Sequence, residues 1–307
     1  MTEQHRSPRK RKESNPLLLG ILALLLIILG VVLFFASRSP QDEVSNLSIK
    51  GGQVQTSTQT NDSQSQKDNT KDNSNVNWIQ SEETVTFPIL MYHAIHIMGD
   101  DEVANANLIV DPTTFESHLK ALKDAGYYFL TPEEAYKVLT ENVLPDGNKK
   151  IVWLTFDDSL WDFYTNAYPL LKKYEIAATN NVITGFVDQA GYLTLDQMKE
   201  MKETGISLED HTVTHPDLSV QTIDEQSYQL SESDSYLDQN LNQDTIAVAY
   251  PAGSYSDDTV AIAEQYFKLG LTTNEGLASV NDGLLTLNRV RILPTTTADY
   301  LLDYISN

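Results

Sequence analysis

Two short segments hold the residue types that do chemistry. Thr155-Phe156-Asp157-Asp158 closes an apolar run, Ile151 to Leu154, that reads as a buried strand. Two adjacent carboxylates therefore stand at the C-terminal end of a strand. About fifty residues later comes His211-Thr212-Val213-Thr214-His215-Pro216. That segment is too β-branched, and too close to Pro216, to be a helix interior. One carboxylate and two imidazoles can hold a divalent metal and leave positions open for water and substrate. The other carboxylate is then free to act as a base, which is the equipment of metal-assisted hydrolysis.

Neither segment is decisive alone. An Asp pair is a common helix cap, and a single His is usually structural. The combination is what tells: two of only six histidines lie four apart, flanked by Asp210 and Asp217. Asp210 is a candidate for fixing an imidazole tautomer from behind. A general acid would have to be sought among His93, His96 and His118, because no His follows His215. His93 is preferred, since it ends a strand, whereas His118 sits mid-helix. Arg289 and Arg291 are the only arginines beyond Arg38. They alternate with Val290 and Ile292, so both face one side of a strand. Either could hold a catalytic Asp ionised. Tyr250-Pro251-Ala252-Gly253 ends another strand in a turn whose backbone N–H could face a reacting carbonyl.

The elements that must position these groups alternate regularly. Strands are expected at 87–92, 151–156, 176–183, 206–209, 245–250, 269–272 and 289–293. Helices are expected at 112–125, 132–142, 161–174, 195–204, 222–240 and 257–267. Such alternation over roughly 220 residues argues for an α/β barrel or a doubly wound sheet. Both place chemistry at the C-terminal ends of strands, where the Asp pair, the His pair and Tyr92-His93 all fall.

The remainder of the chain reads as an attachment. Residues 1–16 form a basic tail with Arg6, Arg9, Lys10, Arg11 and Lys12. Leu17 to Ala36 is an uncharged apolar run of 20 residues, long enough to span a bilayer as a helix. The basic cluster should stay inside, which sends everything after the anchor at 17–37 outward. Residues 38–84 are Ser, Thr, Gln, Asn, Asp and Lys with few apolar residues and read as a flexible tether. The tail takes five of the 21 basic and two of the 43 acidic residues, which leaves 16 against 41, a formal −25. That charge argues against nucleic acid as a partner. It fits a neutral or cationic substrate, and equally a solubilising acidic surface. No Cys is present, so neither disulfides nor Cys lipidation can contribute.

Together these residues resemble the polysaccharide deacetylase family, carbohydrate esterase family 4, over roughly residues 85–295. The carriers are Thr155-Phe156-Asp157-Asp158, His211-Thr212-x-x-His215-Pro216, Pro88-Ile89-Leu90-Met91-Tyr92-His93 and Ala249-Tyr250-Pro251-x-Gly253. The resemblance implies a distorted (β/α) barrel with fewer than eight regular strands. It implies Asp157 as base, with Asp158, His211 and His215 as ligands of a metal, usually zinc. A backbone N–H near Tyr250 would help to stabilise the oxyanion. The chain lacks the late Leu-x-His and the Arg-x-x-Tyr of many members. Its early Tyr-His is similar to the branch of poly-N-acetylglucosamine deacetylases, where that His takes the acid's role. Ser159 stands where Gly is usual, and Asn180-Asn181 where aromatics are usual. The expectation is a membrane-anchored, extracellular N-deacetylase of an N-acetylglucosamine polymer, peptidoglycan or poly-N-acetylglucosamine. An O-acetyl esterase and a non-catalytic surface binder that kept the metal site are the rival readings.

Overall fold

The computed structural model describes residues 76–306. The expected tail, the anchor at 17–37 and most of the tether lie outside the described residues. Among the described residues no helix is long and apolar enough to cross a membrane.

Seven parallel strands close a barrel. They are β1 (Ile89–Tyr92), β2 (Ile151–Phe156), β3 (Ala178–Val182), β4 (Ile206–Asp210), β5 (Ala247–Ala249), β6 (Leu269–Glu275) and β7 (Leu287–Arg291). Each pairs with the next, and β7 returns to β1. A short strand, Tyr128–Phe129, adds to the outside of β2. The helices outside are α1 (Pro112–Asp124), α2 (Pro132–Glu141), α3 (Tyr168–Tyr174), α4 (Leu195–Lys202), α5 (Ile223–Leu241), α6 (Asp257–Ala263) and α7 (Ala298–Ser306). The step from β6 to β7 carries no α-helix, only Ala278–Ser279 and a 3-10 turn, Val280–Asp282. The barrel is therefore distorted and has fewer than eight strands, as the family resemblance implied.

The strands read as continuous apolar runs because both faces are buried. Alternate residues divide between two cores. Ile89, Ile151, Trp153, Ala247, Ala249, Leu269, Leu271 and Leu287 pack together inside the barrel. Leu90, Tyr92, Val152, Leu154, Phe156, Val182, Leu208 and Val290 pack outward against Phe115, Leu119, Leu171, Met198, Leu237 and Leu301 of the helices. Pro starts α1 and α2, and Thr131 and Thr194 close capping boxes on α2 and α4.

Several elements differ from the sequence expectation. Ordered strand structure begins before 85: Trp78–Gln80 pairs antiparallel with Val143–Pro145. The run of three residues is too short to show period-two alternation, so only its partner reveals it. The helix expected across Trp161–Tyr174 is present, but it carries a π turn at Phe163–Ala167 before it passes into α3. The C-terminal α7, packed on α1, has no counterpart in the expected elements.

The inward face of the upper barrel is polar. Arg289 is fully buried and donates from Nε to Thr272 O (2.7 Å), from Nη1 to Thr155 Oγ1 (3.2 Å) and Asp157 Oδ1 (2.9 Å), and from Nη2 to Asp157 Oδ2 (2.7 Å). Burial alone would push the Asp157 carboxyl up, but the Arg289 charge outweighs it and holds it well below the usual carboxylate range. The pair's stabilisation is therefore present above the unfolded carboxylate pKa and is lost as the pH falls through the depressed folded value. Replacing Arg289 by Met strands a buried carboxylate and should cost about 3–5 kcal/mol in urea unfolding near neutrality. In that variant burial acts without the guanidinium, so Asp157 protonates at higher pH and the deficit shrinks on acidification. A deficit equally large at about pH 4 and about pH 7 would show that packing, not charge, is what Arg289 supplies.

Candidate active site

The chemistry-bearing residues meet at the C-terminal rim of β1, β2, β4 and β7. Asp157 continues the inward alternation of β2 and is 3% exposed. Its N–H donates to Tyr92 O (3.0 Å). Three side-chain hydrogen bonds fill most of its carboxylate: two from Arg289, and Asn181 Nδ2 to Oδ1 at 2.7 Å. Oδ2, bonded only by Arg289, looks toward His93 Nε2 at 3.9 Å.

Asp158 has φ of +77° and Ser159 +50°. A strand residue would send the second carboxylate to the opposite face. The left-handed backbone instead turns Asp158 toward the histidines. It also explains why Gly is usual at 159, since Gly takes that conformation without steric cost. Ser159 offsets the strain with its hydroxyl, which accepts the Ile183 N–H (3.3 Å).

His211 extends the inward face of β4 and is buried. Its Nδ1–H donates to Ala249 O (2.6 Å), so the Nε2 lone pair is presented to the centre. The sequence pointed to Asp210 for this task, and that is corrected. Asp210 faces the other way, and its Oδ1 accepts the Thr212 N–H (2.7 Å). Adjacent positions on a strand lie on opposite faces, so a neighbour of His211 cannot reach its ring from behind. Thr212 and His215 also have positive φ, +68° and +57°. The loop between them is held by Gln229 of α5, whose Oε1 accepts the N–H of Val213 (3.0 Å) and Thr214 (2.9 Å). Gln229 and the Ala249 carbonyl were missed as supporting groups, and nothing in their local sequence marks them; Asn181 stood out only as a departure from the family's usual aromatics, not as a partner of Asp157.

Asp158 Oδ1 lies 3.4 Å from His211 Nε2 and 3.5 Å from His215 Nε2. One donor atom from each of the three residues falls within 4.8 Å of the others. Donors roughly 3.3–3.4 Å apart are what a tetrahedral ion with bonds of about 2.0–2.1 Å requires, so the residues fit a divalent metal. The electrostatics agree. Burial pulls the His211 pKa down, but Asp158 and Asp157 carry it above its usual value. The Asp158 carboxyl, raised by burial, is held lower by His211 and then His93. The centre favours positive charge.

The remaining candidates separate clearly. His93 ends β1 at the same rim and is 13% exposed. Burial lowers its pKa, Asp157 and Asp158 oppose this, and Arg289 and Arg291 reinforce it. Arg289, not Arg291, pairs with Asp157; Arg291 lies two residues nearer the rim and is half-buried. His118 is core: its Nδ1 meets Tyr92 OH (3.1 Å) and its Nε2 donates to Thr296 O (2.8 Å). His96 is engaged at both nitrogens, Nδ1 with Asp162 Oδ2 (2.6 Å) and Nε2 with Glu102 Oε1 (3.0 Å).

Tyr250 is the residue the structure does not bring into the site. Its ring packs outside the barrel wall with Leu230, Val248, Ile262 and Phe267. Its hydroxyl donates to Leu285 O (3.0 Å), and its N–H is spent on Leu271 O (3.0 Å). It shares the outward face of β5 with Val248, two residues earlier. In the turn that follows, Pro251 has no N–H, and Gly253 and Ser254 donate to Tyr250 O and Pro251 O. That leaves the amide of Ala252, exposed and with φ of +52°, as the turn's donor toward solvent.

The comparisons with known proteins follow the same residues. The sequence profile of the family described as polysaccharide deacetylase matches residues 145–271, which contain both Asp157-Asp158 and His211 to His215. YxkH of Bacillus subtilis is 38% identical over 231 residues, covering 75% of this chain and 80% of that protein. The poly-β-1,6-N-acetyl-D-glucosamine N-deacetylase of Staphylococcus aureus is 32% identical over 201 residues, 61% of this chain and 68% of that one. The solved structure of the Streptococcus pyogenes deacetylase PplD in complex with acetate is 57% identical, with a TM-score of 0.70, covering 73% of this chain and 99% of that one. The chain belongs to the polysaccharide deacetylase family.

Proposed function

We propose that this deacetylase is a zinc-dependent N-deacetylase that removes acetyl groups from an N-acetylglucosamine-containing polysaccharide of the cell wall or cell surface. The observation that carries the reading is the division of labour between adjacent carboxylates. Asp157 Oδ2 is turned to His93, while Asp158 Oδ1 is turned to His211 and His215. The amide substrate is supported by the Staphylococcus aureus relative, named for N-deacetylation of poly-N-acetylglucosamine. The acetate in the PplD complex is the acid that such a reaction releases.

A zinc ion held by Asp158, His211 and His215 would supply Lewis-acid polarisation of the carbonyl and an acidified water. The chain's own residues move the protons. Asp157, kept ionised by Arg289, accepts a proton from the attacking water at Oδ2. Oδ1 is already filled by Arg289 and Asn181. His93 lies 3.9 Å from that oxygen, placed to receive the proton and pass it to the leaving amine nitrogen. Burial, which lowers its pKa, makes the protonated imidazole a stronger acid for that transfer. The Ala252 N–H is the backbone group on the rim that would meet the developing oxyanion. The basic tail and apolar run at the N-terminus support an anchored protein with its catalytic domain outside.

Asp157→Asn should keep about one zinc per chain and lose turnover by roughly 10²–10⁴-fold, whereas Asp158→Asn should lose zinc first. Elemental analysis alongside acetate release separates the two. If Asp157→Asn is the variant that loses the metal, the assignment is reversed.

His93→Ala should keep zinc and its melting temperature and yet lose amide hydrolysis about 10²-fold or more. An aryl acetate should suffer less, because a phenolate leaves without needing a proton. Near-normal amide cleavage would remove His93 from the mechanism.

Protease treatment of intact cells should release the catalytic domain. Full protection of the chain in intact cells would overturn the outward orientation.

A further inference from the structure

Trp161 is 47% exposed, three residues beyond Asp158, at the first helical position after the short turn that leaves β2. A single exposed apolar side chain is ordinary in itself, but this one is held in place. Its N–H of the main chain donates to Gly191 O (3.0 Å), and Leu160 bridges to Tyr192. The His96 imidazole stacks against the ring in an offset arrangement, with centroids 6.2 Å apart and planes 23° from parallel. His96 in turn is clamped between two carboxylates. Asp162, fully buried, accepts from both His96 Nδ1 (2.6 Å) and Ile95 N (2.7 Å), and Glu102 closes on Nε2 (3.0 Å). An imidazole that donates from both nitrogens to carboxylates is held as a cation, and a cation on an indole face adds its own attraction.

None of these four residues touches Asp157, Asp158, His211 or His215 through any hydrogen bond or ion pair among the described residues. The chain nevertheless fixes a Trp ring, open on one side, between the ends of β1 and β2, the adjacent strands that carry His93 and Asp157. A pyranose with equatorial substituents has axial C–H bonds on each face, and such a face lies flat on an indole. Sugar recognition is the task that a rigid, one-sided aromatic surface at this rim fits, since the ordering cost is met before the ligand arrives.

We propose that Trp161, backed by His96 and its two carboxylates, is a stacking subsite for a pyranose ring of the substrate chain next to the residue being deacetylated. The inference rests on the reading of the substrate as a glycan. Trp161 contacts the sugar; His96, Asp162 and Glu102 are positioning residues. Because a neighbouring ring is what it binds, it acts on oligomers and not on monomers.

The test uses the purified full-length chain in detergent and N-acetylglucosamine pentamer as the probe, with binding measured by calorimetry in the Asp157→Asn background so that no turnover interferes. Trp161→Ala should weaken pentamer binding about tenfold or more, with Trp161→Phe recovering most of it. His96→Gln should weaken it less, through the freed ring. In the active background, Trp161→Ala should raise KM for the pentamer at least tenfold more than it raises KM for an aryl acetate, with kcat changed by less than threefold. Pentamer affinity in Trp161→Ala within twofold of its parent overturns the subsite. A second measurement needs no substitution. N-bromosuccinimide should oxidise Trp161 before the fully buried Trp153, and pentamer should protect it where acetylated monomer does not; equal oxidation with and without pentamer also overturns the proposal. Pentamer that binds and protects Trp161 but releases no acetate with the wild-type protein would instead sink the N-deacetylase reading and leave the subsite standing.

Discussion

The buried ion pair between Arg289 and Asp157 is the interaction on which the rest of the site depends. Removing a guanidinium and a carboxylate from water costs several kcal/mol each, and their attraction offsets this only when the geometry is right and the remaining donors are satisfied. Here Arg289 Nε takes a carbonyl of β6, Nη1 is shared by Thr155 and Asp157 of β2, and Nη2 completes a bidentate fork. One side chain thus ties three strands of the barrel together at the level of the chemistry. It leaves Asp157 ionised with a single oxygen turned to the mouth. A Lys could supply the charge but not the planar fork.

The second constraint is conformational strain at the strand ends. Asp158, Ser159, Thr212, His215 and Ala252 all adopt positive φ. Each such residue costs of order 1–3 kcal/mol unless its surroundings impose the conformation. The imposing groups are visible: Ser159 Oγ on Ile183 N, Thr212 Oγ1 on His215 N, and Gln229 across the loop. The closed barrel beneath supplies the rigidity. The strain has a use, because it aims Asp158 and His215 inward where ordinary strand geometry would send them elsewhere.

Charge is arranged at two scales. The chain carries a formal −22, yet its two arginines beyond Arg38 are set at this mouth. The three candidate ligands form a centre that favours a cation, and the His96 imidazole beside Trp161 is held between two acids.

Much of this was legible in the sequence because it is local. The run Ile151 to Phe156 had to be a doubly buried strand, so Asp157 and Asp158 had to stand at its end. His211 and His215 could not be helical beside Pro216. The β/α alternation is a periodicity, and periodicity survives in one dimension. What failed to show was whatever depends on distant partners. Trp78–Gln80 is a strand only because Val143–Pro145 lies beside it, and Arg289 rather than Arg291 meets Asp157 only because the register of β7 against β6 and β1 sets its depth. Tyr250 sits at the right place in the chain but on the outward face of a three-residue strand too short for its parity to be read. Asn181, Gln229 and the Ala249 carbonyl support the site from other elements. The sequence by itself determined which residue types stand at strand ends; the tertiary structure alone decided which of them face one another, because facing is set by barrel register and by the handful of left-handed residues that bend the chain inward.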